Sequence, residues 1–175
     1  PPISFPAPLT PLMPSRLRWL SLSLLVAGPL TGQRATAPIP TPRSVLGFDP
    51  GDDRRLADWP TLVRYYQALA RASDRIDYRE IGQSTLGAPF IALAISSPQN
   101  LRRLDVIRRT NARLADPRTM RTNRDAVTAL HDGRTMVLIT SGIHSDEVGG
   151  SLSPALLAYR LATDTSAATR AILDE

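Results

Sequence analysis

Apolar positions fall into short runs separated by proline- and glycine-rich breaks, and each run has its own period. Leu62, Tyr65, Tyr66 and Leu69 recur at helical spacing, which predicts a helix near residues 59–73 with Asp58 as its cap and Pro60 in its first turn. Ile76–Ile81 and Phe90–Ile95 are β-rich, and the stretch Gly82–Gly87 between them predicts a hairpin loop, hence antiparallel strands. Leu101, Leu104, Ile107 and Leu114 predict a second helix, starting after Ser97-Pro98 and ending near Asp116-Pro117. Asn123–Gly133 reads as polar connection. Val137, Leu138 and Ile139 form an uncharged run expected to be a strand buried on both faces. Beyond it Leu152, Leu156, Leu157 and Leu161 follow helical spacing.

The N-terminal part divides differently. Residues 1–12 are proline-rich and aperiodic, and are expected to be disordered or mistranslated. From Met13, Arg16 and Arg18 precede an apolar run, Trp19–Leu30, shorter than the roughly twenty residues a membrane-spanning helix needs. The small residues of Thr31–Ala37 follow, so 13–37 reads as a secretory signal peptide. That implies export to the periplasm or the exterior, with no stable membrane span once the signal is removed. Residues 38–53, rich in Pro and Gly, are expected to be a linker. The chain starts at Pro1 rather than Met and stops at Glu175 in the middle of what looks like helix-to-strand punctuation, which reads as a fragment.

Composition changes the picture in two places. All 21 basic residues are arginines against 16 acids, for a net charge of +5. Eight of them lie in 102–124, but Asp105, Asp116 and Asp125 are interspersed and no aromatic residue is available for stacking. That pattern fits a solvated helical face, and no nucleic acid partner is expected. Cysteine is absent, which excludes disulfides and thiolate metal sites, so any metal must be held by histidine and carboxylate.

Those donors meet in one stretch. Thr135–Gly150 runs from the apolar segment into a glycine-flanked turn carrying His144, Asp146 and Glu147. An imidazole and a carboxylate three residues apart lie on one side of a helical turn and can reach one ion, Zn²⁺ being the natural match for nitrogen plus oxygen donors. Catalytic zinc takes three protein ligands and a water. His131, the other histidine, precedes the whole apolar run and is expected on an exposed loop, which puts the third ligand beyond Glu175. The competing reading has His144 and Glu147 capping the following helix. Asp146 reads as an acid favoured by that helix's dipole, with support of a metal ligand as the alternative.

The segment Ser141-Gly-Ile-His-Ser-Asp-Glu-Val-Gly149 resembles the first zinc-binding motif of the M14 zinc carboxypeptidase family, where His-x-x-Glu follows a central strand. Upstream, Tyr78–Ser96 is similar to that family's Ile-Gly, spacer, Gly-x-Pro, strand sequence. The resemblance implies an α/β fold with a mixed eight-stranded sheet, of which residues 54–175 are the N-terminal part. It also implies Zn²⁺ held by His144, Glu147 and a later histidine; carboxypeptidase A is itself a standard His₂Glu example, so that ligand set comes with the family. The implied activity is hydrolysis of a peptide or peptide-like amide through zinc-activated water, with a glutamate general base also beyond Glu175. A fragment without those groups is expected to be inactive. Asp146 departs from the pancreatic-type pattern, which commonly has Arg there, so a cell-wall peptide amidase of the same family stays open. So does a non-catalytic secreted binding domain on the same fold.

Overall fold

Thr41 starts the first helix, its hydroxyl oxygen accepting the Ser44 N–H at 3.2 Å. Pro42 occupies the position where a missing N–H costs no hydrogen bond. This helix, α1 (Pro42–Leu46), ends at Gly47, whose φ of +81° a residue with a Cβ resists. Leu46 and Phe48 are buried in the main core. The computed structural model describes residues 38–144 and 146–175, so the expected leader (1–12) and signal (13–37) lie outside the described residues. The expectation of a linker over 38–53 is corrected, because apolar Leu46 and Phe48 anchor that stretch to the folded body.

Helix α2 (Trp59–Ala72) begins where the Asp58 carboxylate accepts the Thr61 N–H at 2.8 Å. It buries Leu62, Val63, Tyr65, Tyr66 and Leu69. Strands β1 (Ile76–Gln83) and β2 (Pro89–Ile95) pair antiparallel with Ile76 opposite Ile95, and the register shifts between Glu80 and Gly82. The turn joining them has Gly87 at φ +77°, its N–H donated to Ser84 O at 2.9 Å. Trp59 Nε1 donates to Pro89 O at 2.9 Å, tying the start of α2 to β2.

The single helix expected after Ser97 is two, α3 (Pro98–Arg102) and α4 (Leu104–Ala115), broken at Arg103. The polar connection expected over 123–133 is corrected to a helix, α5 (Asn123–Asp132). Thr122 and Asp125 form a reciprocal capping box that satisfies backbone donors at its start. Helices α6 (Val148–Thr163) and α7 (Ala167–Asp174) complete the described chain. α6 contributes Leu152, Ala155, Ala158 and Ala162 to the core, whereas Leu156 and Leu157 are exposed. Alanines let its backbone approach α2 closely. Arg75 Nη1 donates to Leu161 O (3.2 Å) and Asp164 O (2.7 Å), satisfying carbonyls that the end of α6 leaves free.

Helices around an antiparallel pair make an α/β arrangement, and the mixed eight-stranded sheet is not seen among the described residues. The buried strand expected at Val137–Ile139 is likewise corrected. Residues 133–142 form no regular element, and Val137 and Leu138 are 82% and 86% exposed. A run of this kind becomes a two-faced strand only when neighbours pair both its edges and cover both its faces, and no described segment does so. No described helix is long and apolar enough to cross a membrane.

Candidate functional site

Three local features set where the His144 turn begins. Gly133 follows α5 with no room for a side chain: a Cβ there would meet Leu114 Cδ1 at 2.8 Å and Ala129 O at 3.0 Å. Next to it, Asn111 on α4 holds both backbone groups of Arg134, accepting its N–H at 3.2 Å and donating to its carbonyl at 2.7 Å. The Thr135 N–H is donated to Glu175 O at 3.1 Å. The sequence does not mark Asn111 or Gly133 as special, because a lone helical asparagine and a glycine after a polar stretch carry no distinctive spacing.

The segment then runs to Gly142, at φ +79°, and turns. His144 O accepts the Glu147 N–H at 3.4 Å, and the two side chains fall on the same side of the turn, His144 Nδ1 lying 3.0 Å from Glu147 Oε1. Both side chains are well exposed. Glu147 occupies the position before α6 but makes no side-chain cap to it, so its carboxylate is free to face the imidazole. The capping alternative therefore has no hydrogen bond to stand on among the described residues.

The sequence around the turn is acidic. Residues 135–159 contain no arginine and two acids, Asp146 and Glu147. Both acids directly precede α6. Asp146 is exposed and makes no hydrogen bond among the described residues. His131 sits in the last turn of α5 with Nδ1 3.0 Å from its neighbour Asp132. It lines a separate cavity of about 540 Å³ with Leu114, Arg134 and Thr135.

Two tetrahedral zinc ligands at about 2.0–2.1 Å from the ion are about 3.3 Å apart, so a pair at 3.0 Å needs only a small movement to share one. The donor chemistry fits zinc, with two of the usual three protein ligands. Among the described residues, no group of three or more His, Cys, Asp or Glu side chains could hold a metal ion.

Helices packed on an antiparallel pair, with a His-x-x-Glu turn opening α6, make an α/β protein. The model of the zinc carboxypeptidase family, peptidase M14, matches residues 62–175, and the chain belongs to that family. No curated protein and no solved structure matches it significantly.

Proposed function

We propose that this chain contributes the first half of the metal site of an exported zinc peptidase, with His144 and Glu147 as two protein ligands. The observation that carries the reading is the 3.0 Å convergence of Nδ1 and Oε1 on an uncapped, arginine-free turn. When bound, Zn²⁺ supplies Lewis-acid activation of water and polarises an amide carbonyl. The residues here do the rest of the local work. The His144 ring offers a nitrogen donor, the Glu147 carboxylate an oxygen donor, and the Gly142 turn with the first turn of α6 fixes their separation. A third ligand and a general base belong outside the 175 residues, and the substrate is a peptide or peptide-like amide. Asp146 puts a negative charge beside the ligand pair, which favours amide substrates without a second anion near the scissile bond. Export rests on Arg16, Arg18 and the apolar run after them.

The non-catalytic alternative draws on there being only two converging donors among the described residues. Zinc titration against a chromogenic chelator separates the readings from misassignment of the site. His144→Ala and Glu147→Gln are each expected to weaken zinc binding by at least about tenfold, with unchanged circular dichroism because both side chains are exposed. Equal affinity in wild type and both variants would remove the site. Retained affinity differences, with no chelator-sensitive amide hydrolysis in the longest expressed form, would favour a binding domain.

A further inference from the structure

Charge is unevenly spread over the described chain. Residues 102–124, from the end of α3 through α4 to the start of α5, hold eight arginines and two acids, whereas the rest of 38–175 holds ten arginines and fourteen acids. A segment of net +6 is thus set in a body of net −4. Seven of the eight arginines are exposed, and Arg103 is half-buried. Asp105 and Asp116 are taken up by Arg108 and Arg118, at 3.8 and 2.7 Å. That leaves Arg102, Arg109, Arg113, Arg121 and Arg124 with no ion pair among the described residues.

We propose that this face docks on a membrane surface bearing anionic phospholipid headgroups. Helix α4 turns inward through Ile107, and Arg109 and Arg113 stand on its outward side with Val106, which is 44% exposed. Positions i, i+3 and i+7 fall on one helix face. An apolar side chain among guanidinium groups suits the boundary between headgroups and acyl chains, where arginine keeps its head at the phosphates and its stem against carbon. A nucleic acid backbone offers Val106 nothing, and residues 102–124 contain no aromatic ring on which a base could stack. Twelve residues make α4 about 18 Å long, so a plane of headgroups meets several of these arginines at once, where a single small anion meets one or two. The acidic remainder of the body is repelled by the same surface, so attraction and repulsion both turn the α4 face toward the lipid. The contact is electrostatic and peripheral. Each arginine near the surface strengthens it roughly fivefold, an effect that fades beyond a Debye length of about 8 Å at physiological salt.

Co-sedimentation of the 175-residue chain with vesicles of phosphatidylcholine alone, or with about 30% phosphatidylglycerol, tests this. The partition ratio is expected to favour the anionic vesicle by at least about tenfold at low salt and to fall by at least about fivefold at roughly 0.3 M salt. Arg16, Arg18 and the apolar run after them are common to every variant, so the change on substitution is decisive. Arg109→Glu with Arg113→Glu is expected to lower the ratio at least about tenfold. Arg64→Glu with Arg71→Glu, the same charge change at exposed positions of α2, is expected to keep it within about threefold. Amide exchange gives a second reading in the unsubstituted chain, with exchange across 104–115 slowed by the anionic vesicle and not by the neutral one. A ratio near one, equal losses in the two paired variants, unchanged exchange across α4, or preferential retention on duplex DNA when both are offered would each overturn the proposal.

Discussion

Asn111 holds Arg134 by both its backbone groups, at 3.2 and 2.7 Å, although 23 residues separate them in sequence. One side-chain amide does there what a neighbouring strand would otherwise do, and it fixes the point at which the chain leaves α5 for the His144 turn. Asn111→Ala strands a part-buried N–H and carbonyl, so it is expected to destabilise the fold by about 1–3 kcal/mol. Gly133→Ala, facing Leu114 and the Ala129 carbonyl, is expected to cost a similar amount, about 1–3 kcal/mol, by overpacking. Urea midpoints of the two variants check this. A midpoint unchanged in Asn111→Ala would mean that the clamp does not bear on the fold.

Several carboxylates predict how stability depends on acid. Hydrogen bonds from Thr61 hold the Asp58 carboxyl below the usual carboxylate range; Thr122 does so for Asp125, and the Ser166 backbone followed by Thr169 for Asp164. A folded-state value below the unfolded one gives stability that is present above the unfolded value of about 3.9 and is lost as pH falls through the folded one. The urea midpoint is therefore expected to be level from about pH 5 to 7 and to fall below about pH 4. Asp58→Asn keeps a capping side chain but not the charge, so its deficit against wild type should shrink as pH drops to 3. An equal deficit at both ends would assign the Asp58 contribution to shape alone.

How much of this was legible follows from where each signal lies. Asp58, Pro60 and the Leu62–Leu69 face announce α2 because cap, first-turn proline and period all sit within one short window. The β1–β2 pair was readable for the same reason, its turn falling between two β-rich runs. The strand expected at Val137–Ile139 failed because apolar content measures what a segment can bury, whereas pairing depends on segments distant in sequence. The 38–53 stretch shows the converse: its prolines and glycines looked like punctuation, yet Pro42 opens a helix, Gly47 closes it, and Leu46 and Phe48 sit in the core. At the site, the side-by-side placement of His144 and Glu147 is local, set by three residues of spacing. The Asn111 contact that leads into it is not local, and nothing in the sequence marks it.

The α5 helix rests on a cap that can be removed. The Thr122 hydroxyl oxygen accepts the Asp125 N–H at 3.1 Å, and the Asp125 carboxylate accepts the Thr122 N–H at 3.0 Å. Thr122→Ala is expected to cost about 1 kcal/mol. Because α5 buries chiefly Ala129, the loss should appear first as faster amide exchange across 123–132 rather than as global unfolding. Unchanged exchange there would show that tertiary contacts, not the capping box, hold the helix.

Tyr65 is fully buried, and its hydroxyl has no hydrogen-bond partner among the described residues. Its ring lies 5.7 Å from that of Tyr66, tilted by 53°. Burial, followed by the neighbouring Tyr66 and Tyr159, pushes the Tyr65 hydroxyl well above the ordinary phenol value, and burial alone pushes Tyr66 up to about 12. A raised folded value gives stability that is complete below about pH 10, where unfolded tyrosine is still neutral, and is lost as pH rises through the folded value. The urea midpoint is thus expected to hold to about pH 9.5 and then decline. Tyr65→Phe removes a stranded donor while keeping the ring, so it should leave stability at pH 7 unchanged or raise it by about 1 kcal/mol, and make the alkaline decline shallower. A loss of more than about 1 kcal/mol at pH 7 would mean instead that the hydroxyl is satisfied, and that the Tyr65–Tyr66 pair is joined to the α6 face by a hydrogen bond rather than by packing.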